Sequence, residues 1–154
     1  MELADLLNPQ AIRVIGNIKS KKRLFQEIAE IGGTSWGVDP ALAFDALQER
    51  ESLGTTGVGH GVALPHARLD GLEQVCGVFL RLENRLDYGA VDRAPVDLVF
   101  ALFAPKEAGV EHLTALALVS RMLRDSALCT KLRANGDSAK LFAILTAHPD
   151  TRAA

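Results

Sequence analysis

His66 is the residue around which chemistry can be built. It ends the stretch Gly54-Thr55-Thr56-Gly57-Val58-Gly59-His60-Gly61-Val62-Ala63-Leu64-Pro65-His66. Glycines let backbone N–H groups approach a ligand closely, and threonine hydroxyls add donors. Thr55, Thr56, Gly57 and Gly59 therefore have the makings of a cradle for phosphate oxygens. An imidazole delivered by a short apolar strand and a proline is a candidate nucleophile or proton carrier. The same residues also suit an exposed loop histidine, and composition alone does not separate the two.

Two further side chains could serve such a site. Arg50 directly precedes the loop, where its guanidinium could reach an anion with a bidentate fork or simply cap a helix end. His112 falls at a predicted helix start, where the positive end of the helix dipole favours the neutral imidazole. Other chemistries fit less well. No Gly-Lys-Ser/Thr closes the loop, and a strand follows the glycines where a helix is needed, which counts against ATP and dinucleotides. No Gly-x-Ser-x-Gly elbow occurs. His60, His66, His112 and His148 form no metal-ligand array with the cysteines or acids, so neither a metal nor another cofactor is expected.

The whole chain sets the frame. Its 154 residues suffice for one domain with a proper core, and a single domain over residues 1–154 is expected. Hydrophobic residues at 48% and charged residues at 23% are ordinary for a globular protein, and a net charge of −2 counts against nucleic-acid binding. The N-terminus lacks the basic and apolar regions of a secretory signal. The longest apolar run, near Leu98 to Ala104, is far below the ~20 residues that span a bilayer, so a cytoplasmic protein is expected. Cys76 and Cys129 sit in apolar segments and read as buried free thiols.

Periodicity supplies the elements that must hold the histidine. A strand at Ile12 to Ile15 precedes a helix capped by Ser20 and stopped at Gly32-Gly33, and Asp39-Pro40 opens a second helix ending near Arg50. Strands are expected at Gly61 to Leu64, Val75 to Leu82 and Asp97 to Phe103. The last two are almost continuously apolar, as strands covered on both faces are. His112 opens a helix through Leu123, and shorter helices lie around Leu128 to Ala134 and Ala139 to Ala147. The basic run Lys19, Lys21, Lys22 and Arg23 reads as a solvated helix start. The expected fold is an α/β layered domain, a mixed β-sheet flanked by helices on both faces.

The motif Arg50-Glu51-x-x-Gly54-Thr55-Thr56-Gly57-Val58-Gly59-x-Gly61-Val62-Ala63-Leu64-Pro65-His66 resembles the type-2 IIA domains of the bacterial phosphoenolpyruvate-dependent phosphotransferase system, mannitol/fructose class. Ser20-Lys21-Lys22-Arg23, Pro95 to Leu102, and His112-Leu113-x-x-Leu116-Ala117-Leu118-Val119 extend the likeness in order, closest to the family's standalone nitrogen-regulatory branch. The resemblance implies that His66 accepts a phosphoryl group from an HPr-like carrier, itself charged by an enzyme I homologue, with Arg50 and His112 beside it.

It also implies regulatory target proteins, such as kinases or potassium transporters, and a role in nitrogen metabolism or potassium homeostasis. No nucleic acid or membrane insertion is implied, and a weak homodimer is left open. Two alternatives stay open: a binding module that takes no phosphate, and a sugar-transport IIA passing phosphate to a separate IIB protein. Position 60 departs from the pattern, with histidine where asparagine is usual, and could place a hydrogen bond or a titratable charge near the site. Ala67, where glycine is frequent, is a milder variation.

Overall fold

The computed structural model describes residues 1–147; His148, to which no role is given, lies outside the described residues. Helix α1 (Leu3–Leu6) and a 3-10 turn lead into strand β1 (Ile12–Ile15). Helix α2 (Lys21–Trp36) begins at Ser20, whose hydroxyl accepts from the Arg23 N–H. It does not stop at Gly32-Gly33. A Cβ on Gly32 would meet Val38 Cγ2 at 2.9 Å and one on Gly33 would meet Pro40 Cγ at 3.0 Å, so these glycines permit close packing where α2 runs past the chain's return. The stop is Gly37, left-handed at φ 74°, whose N–H reaches back to the helix carbonyls.

Helix α3 (Pro40–Ser52) follows the Asp39 cap and places Arg50 in its last turn. The glycine loop contains a short strand, β2 (Gly57–Gly59), paired antiparallel with β3 (Val62–Ala63). His66 does not end that strand. It opens its own, β4 (His66–Leu69), because Pro65 has no N–H to give the ladder and splits one edge into two pieces.

Strand β5 (Cys76–Leu86) runs antiparallel to β6 (Val96–Pro105), while β3 and β4 both lie parallel to β6, with Val62 opposite Leu98 and His66 opposite Leu102. Strand β1 pairs parallel with β5, giving a mixed six-stranded sheet in the order β1-β5-β6-β3-β2 with β4 also on β6. Helices α4 (Val110–Leu123), α5 (Ser126–Arg133) and α6 (Ser138–Ala147) complete the described chain.

The continuous apolar run of β6 serves two layers at once. Leu98, Phe100, Leu102 and Ala104 pack into the cluster that includes Leu118, Leu132 and Leu141 of α4 to α6, while Val99, Ala101 and Phe103 pack with Leu24, Ile28 and Leu47 of α2 and α3. Helices therefore flank both faces. The alternation continues on β4: Ala67 and Leu69 join the α2–α3 cluster, which turns His66 and Arg68 toward the opposite face, where α4 carries His112. Both cysteines are buried and free.

Candidate functional site

His66 is half-buried, and its Nδ1 lies 2.9 Å from the Leu64 carbonyl oxygen. A carbonyl can only accept, so Nδ1 carries the proton and Nε2 keeps its lone pair. The backbone bend at Pro65 makes this contact, returning the ring onto the carbonyl two residues earlier. His112 meets that ring edge-on, with centroids 5.6 Å apart and planes at 68°. It is the third residue of α4, which opens at Val110 and not at the histidine. His112 Nε2 is the buried side-chain nitrogen or oxygen that lacks a hydrogen-bond partner among the described residues. A buried polar atom of this kind is costly unless something else completes it.

Arg50, His66, Arg68 and His112 line one cleft of about 470 Å³, with Glu49 and Leu53 at its edge. Arg50 Nη1 donates to the Gly54 carbonyl at 2.9 Å, and Arg68 Nη1 to the Lys106 carbonyl at 3.1 Å, so both guanidiniums are anchored at one nitrogen and have further donors to offer. Arg68 lies two residues beyond His66 on β4 and so shares its face; it was missed because no strand was expected there.

Electrostatics keep both histidines neutral. Burial lowers the His66 pKa and the Arg50 charge adds to this, against the opposing Leu64 hydrogen bond and Glu51 charge. Burial, then the charge His66 carries when protonated and the Arg68 charge, push His112 down to about 4. The result is an unprotonated nucleophilic nitrogen beside two cations and an uncommitted imidazole nitrogen, an arrangement suited to receiving an anionic electrophile.

The threonines and glycines of the loop occupy a different place. Thr56 is buried, and its N–H and hydroxyl both donate to the Glu51 carboxylate. Thr55 Oγ1 accepts from the Gly57 N–H at 3.1 Å. A Cβ on Gly57 would sit 2.7 Å from Ala90 Cβ, and Gly59 lies against Asp92, so these two positions are packed against the β5–β6 connection and do not line the His66 cleft. Sequence reasoning gave no role to Glu51, Lys21 or Tyr88. The side chain of Glu51 is only 6% exposed and takes a 2.9 Å bond from the Lys21 ammonium, which lies 4.4 Å above the Tyr88 ring. Lys21 is thus bound, whereas the basic run read as solvated.

His60 is exposed and turned away from the cleft. With φ 56° it shares a tight turn with Gly61 at φ 79°, its N–H donating to Asp92 and its carbonyl accepting from Arg133. This is the hairpin turn that asparagine-glycine favours, since both central residues need positive φ. His60 borders a second and larger cavity of about 840 Å³ that shares no lining residue with the first. The principal cation there, Arg133, is committed to Asp97 through three donor contacts of 2.9 to 3.1 Å. Size alone favours that cavity. The smaller cleft holds the unprotonated ring nitrogen of His66 and the unpartnered nitrogen of His112, and is the candidate site.

Comparison with known proteins places this geometry. Residues 5–148 match the model of the family described as "Phosphoenolpyruvate-dependent sugar phosphotransferase system, EIIA 2". The chain is 43% identical over 153 residues to a nitrogen regulatory protein of Bradyrhizobium diazoefficiens, covering 99% of this chain and 100% of that one. It is 38% identical over 148 residues to a nitrogen regulatory protein of Escherichia coli K12, covering 95% and 90%. The crystal structure of nitrogen regulatory protein IIA-Ntr from Neisseria meningitidis superposes with a TM-score of 0.86 at 34% identity, over 94% of this chain and 99% of that one. With family model, sequences and structure all agreeing across nearly the full length, the chain belongs to the type-2 EIIA family of the phosphoenolpyruvate-dependent sugar phosphotransferase system.

Proposed function

We propose that this single-domain protein is a phosphocarrier of the nitrogen-regulatory kind, accepting a phosphoryl group on Nε2 of His66 from the phosphohistidine of an HPr-like carrier. The observation that carries the reading is the 2.9 Å contact from His66 Nδ1 to the Leu64 carbonyl, which leaves Nε2 as the ring's nucleophile in a cleft lined by Arg50, Arg68 and His112. In the transfer the phosphorus–nitrogen bond to the carrier breaks as one to Nε2 forms, through a loose, in-line transition state that asks the protein mainly for position and charge. Arg50 and Arg68 offset charge on the phosphoryl oxygens. His112, neutral and protonated at Nε2, completes its missing hydrogen bond on one of them.

No helix among the described residues is long and apolar enough to cross a membrane. Phosphorylation adds negative charge beside the exposed Leu53 of the cleft, and so changes which proteins that face admits. The relatives' names support nitrogen regulation as the output; potassium homeostasis, through kinases or transporters as targets, is the further output we assign. Incubation with phosphoenolpyruvate, enzyme I and an HPr-type carrier should give an acid-labile, base-stable adduct that is absent from His66→Ala. No uptake from any cognate carrier would leave only a binding module of the same fold. Onward transfer to a IIB cysteine would make the protein a transport component.

A further inference from the structure

Glu51 is the junction of a hydrogen-bonded framework that reaches both ends of the cleft. Its carboxylate receives the Thr56 N–H at 3.1 to 3.2 Å, the Thr56 hydroxyl, the Lys21 ammonium at 2.9 Å and the Tyr88 hydroxyl at 3.2 Å. Since Thr56 spends its one hydroxyl proton on the carboxylate, its oxygen accepts from the Tyr88 hydroxyl at 2.7 Å, and the single Tyr88 proton is shared between this contact and the longer one to Glu51.

From Thr56 the connection continues to the nucleophile. The Thr56 carbonyl accepts from the Leu64 N–H at 2.9 Å, and the Leu64 carbonyl accepts from His66 Nδ1 at 2.9 Å. A second branch runs to the arginine. The Glu51 side chain closes residues 51–56 into a ring, and the Gly54 carbonyl inside that ring accepts from Arg50 Nη1 at 2.9 Å. The two groups that must face one phosphoryl group are thus referred to one buried carboxylate. That explains why an acid sits nearly buried, 6% exposed, directly after the arginine of the site.

Burial raises the Glu51 pKa, yet the bonds from Thr56 and Lys21 prevail and hold it below the ordinary carboxylate value, so the junction is a charged acceptor at neutral pH. A glutamine would turn an amide N–H₂ toward the Lys21 ammonium or the Thr56 donors, and one link must break.

We propose that Glu51 is a positioning residue for phosphoryl transfer: anchored by Lys21 and Tyr88, it sets the His66 ring through Thr56 and Leu64 and the Arg50 guanidinium through Gly54. This rests on the reading of His66 as the phosphoryl acceptor. Glu51, Thr56, Lys21 and Tyr88 do not line the His66 cleft, so loss of the framework should slow the chemical step and leave docking intact.

The test compares wild type with Glu51→Gln, Thr56→Val and Glu51→Asp. The first two should lower the maximal transfer rate roughly 10- to 100-fold, the scale of a small misplacement of reacting groups, with the KM for the carrier unchanged. Aspartate, keeping the charge on a shorter arm, should restore part of the rate. Independently of transfer, NMR should show the Arg50 side-chain and His66 ring resonances displaced in Glu51→Gln. The His66 pKa should fall further, because the Glu51 charge raises it.

Wild-type rates in both Glu51→Gln and Thr56→Val overturn the proposal, as does a slowed variant whose Arg50 and His66 resonances stay in place. Should Glu51→Gln not fold, Thr56→Val carries both readouts alone. If wild type accepts no phosphoryl group, the reading of the site fails while the resonances still decide whether Glu51 sets Arg50 and His66.

Discussion

Nδ1 of His66 is held 2.9 Å from a carbonyl only two residues away, while burial and the Arg50 charge depress the pKa of the ring. The neutral, nucleophilic form therefore persists below the ordinary value of about 6.5. The pH at which transfer falls to half its neutral rate should lie below that value. Arg50→Gln, besides slowing transfer about 10-fold or more, should move the decline toward higher pH; rapid-quench rates across pH test both effects. His112 gives a stability signature. Its folded pKa of about 4 lies below the unfolded value, so the unfolded chain takes the proton first. Stability is full above ~6.5 and falls as pH drops toward 4. Denaturant titrations should show this slope reduced in His112→Asn, and an unchanged slope would contradict the assignment. At this scale the sequence marked His66, Arg50 and His112 as candidates, through the glycine loop and two predicted helix ends, and one cleft holds all three. The sequence did not reveal Glu51, Tyr88 or Lys21, whose bonds join positions 30 and 37 residues apart.

Helix and strand boundaries were legible wherever a local cap or an apolar run decided them: Ser20, Asp39-Pro40 and the β6 core strand all stand close to expectation. They failed where tertiary packing decided. Gly32-Gly33 looks like a stop but lies inside α2, because the glycines admit Val38 and Pro40. Pro65 looks like the end of a strand but divides two strands that both follow β6. The loop glycines look like a ligand cradle, and Gly57 and Gly61 instead meet protein. A Cβ on Gly61 would lie 2.6 Å from Arg133 Nη2 and 2.9 Å from Asp97 Oδ1, on a backbone at φ +79°. Gly61→Ala should lower stability by about 1–3 kcal/mol in chemical denaturation. His60→Asn places the better turn residue at φ 56° and should raise stability by about 0.5 kcal/mol without altering transfer, since His60 lies outside the His66 cleft. A clear loss of transfer in His60→Asn would return position 60 to the site.

Seen whole, the molecule uses its mixed sheet to bring two helical layers to one point. Helix α3 on one face delivers Arg50, α4 on the other delivers His112, and the divided β3–β4 edge sets His66 between them. The layered α/β fold was legible because the strand and helix periods differ so plainly. The pairing order was not, since two- and three-residue strands carry almost no pattern. We propose that this assembly makes Nε2 of His66 a phosphoryl acceptor. Nitrogen-edited NMR of the chain after charging by phosphoenolpyruvate, enzyme I and an HPr-type carrier tests it most directly. A phosphorus coupling is expected at Nε2 of His66, with Nδ1 still protonated and bonded to Leu64. A phosphoryl group on Nδ1, on another residue, or on none would contradict it.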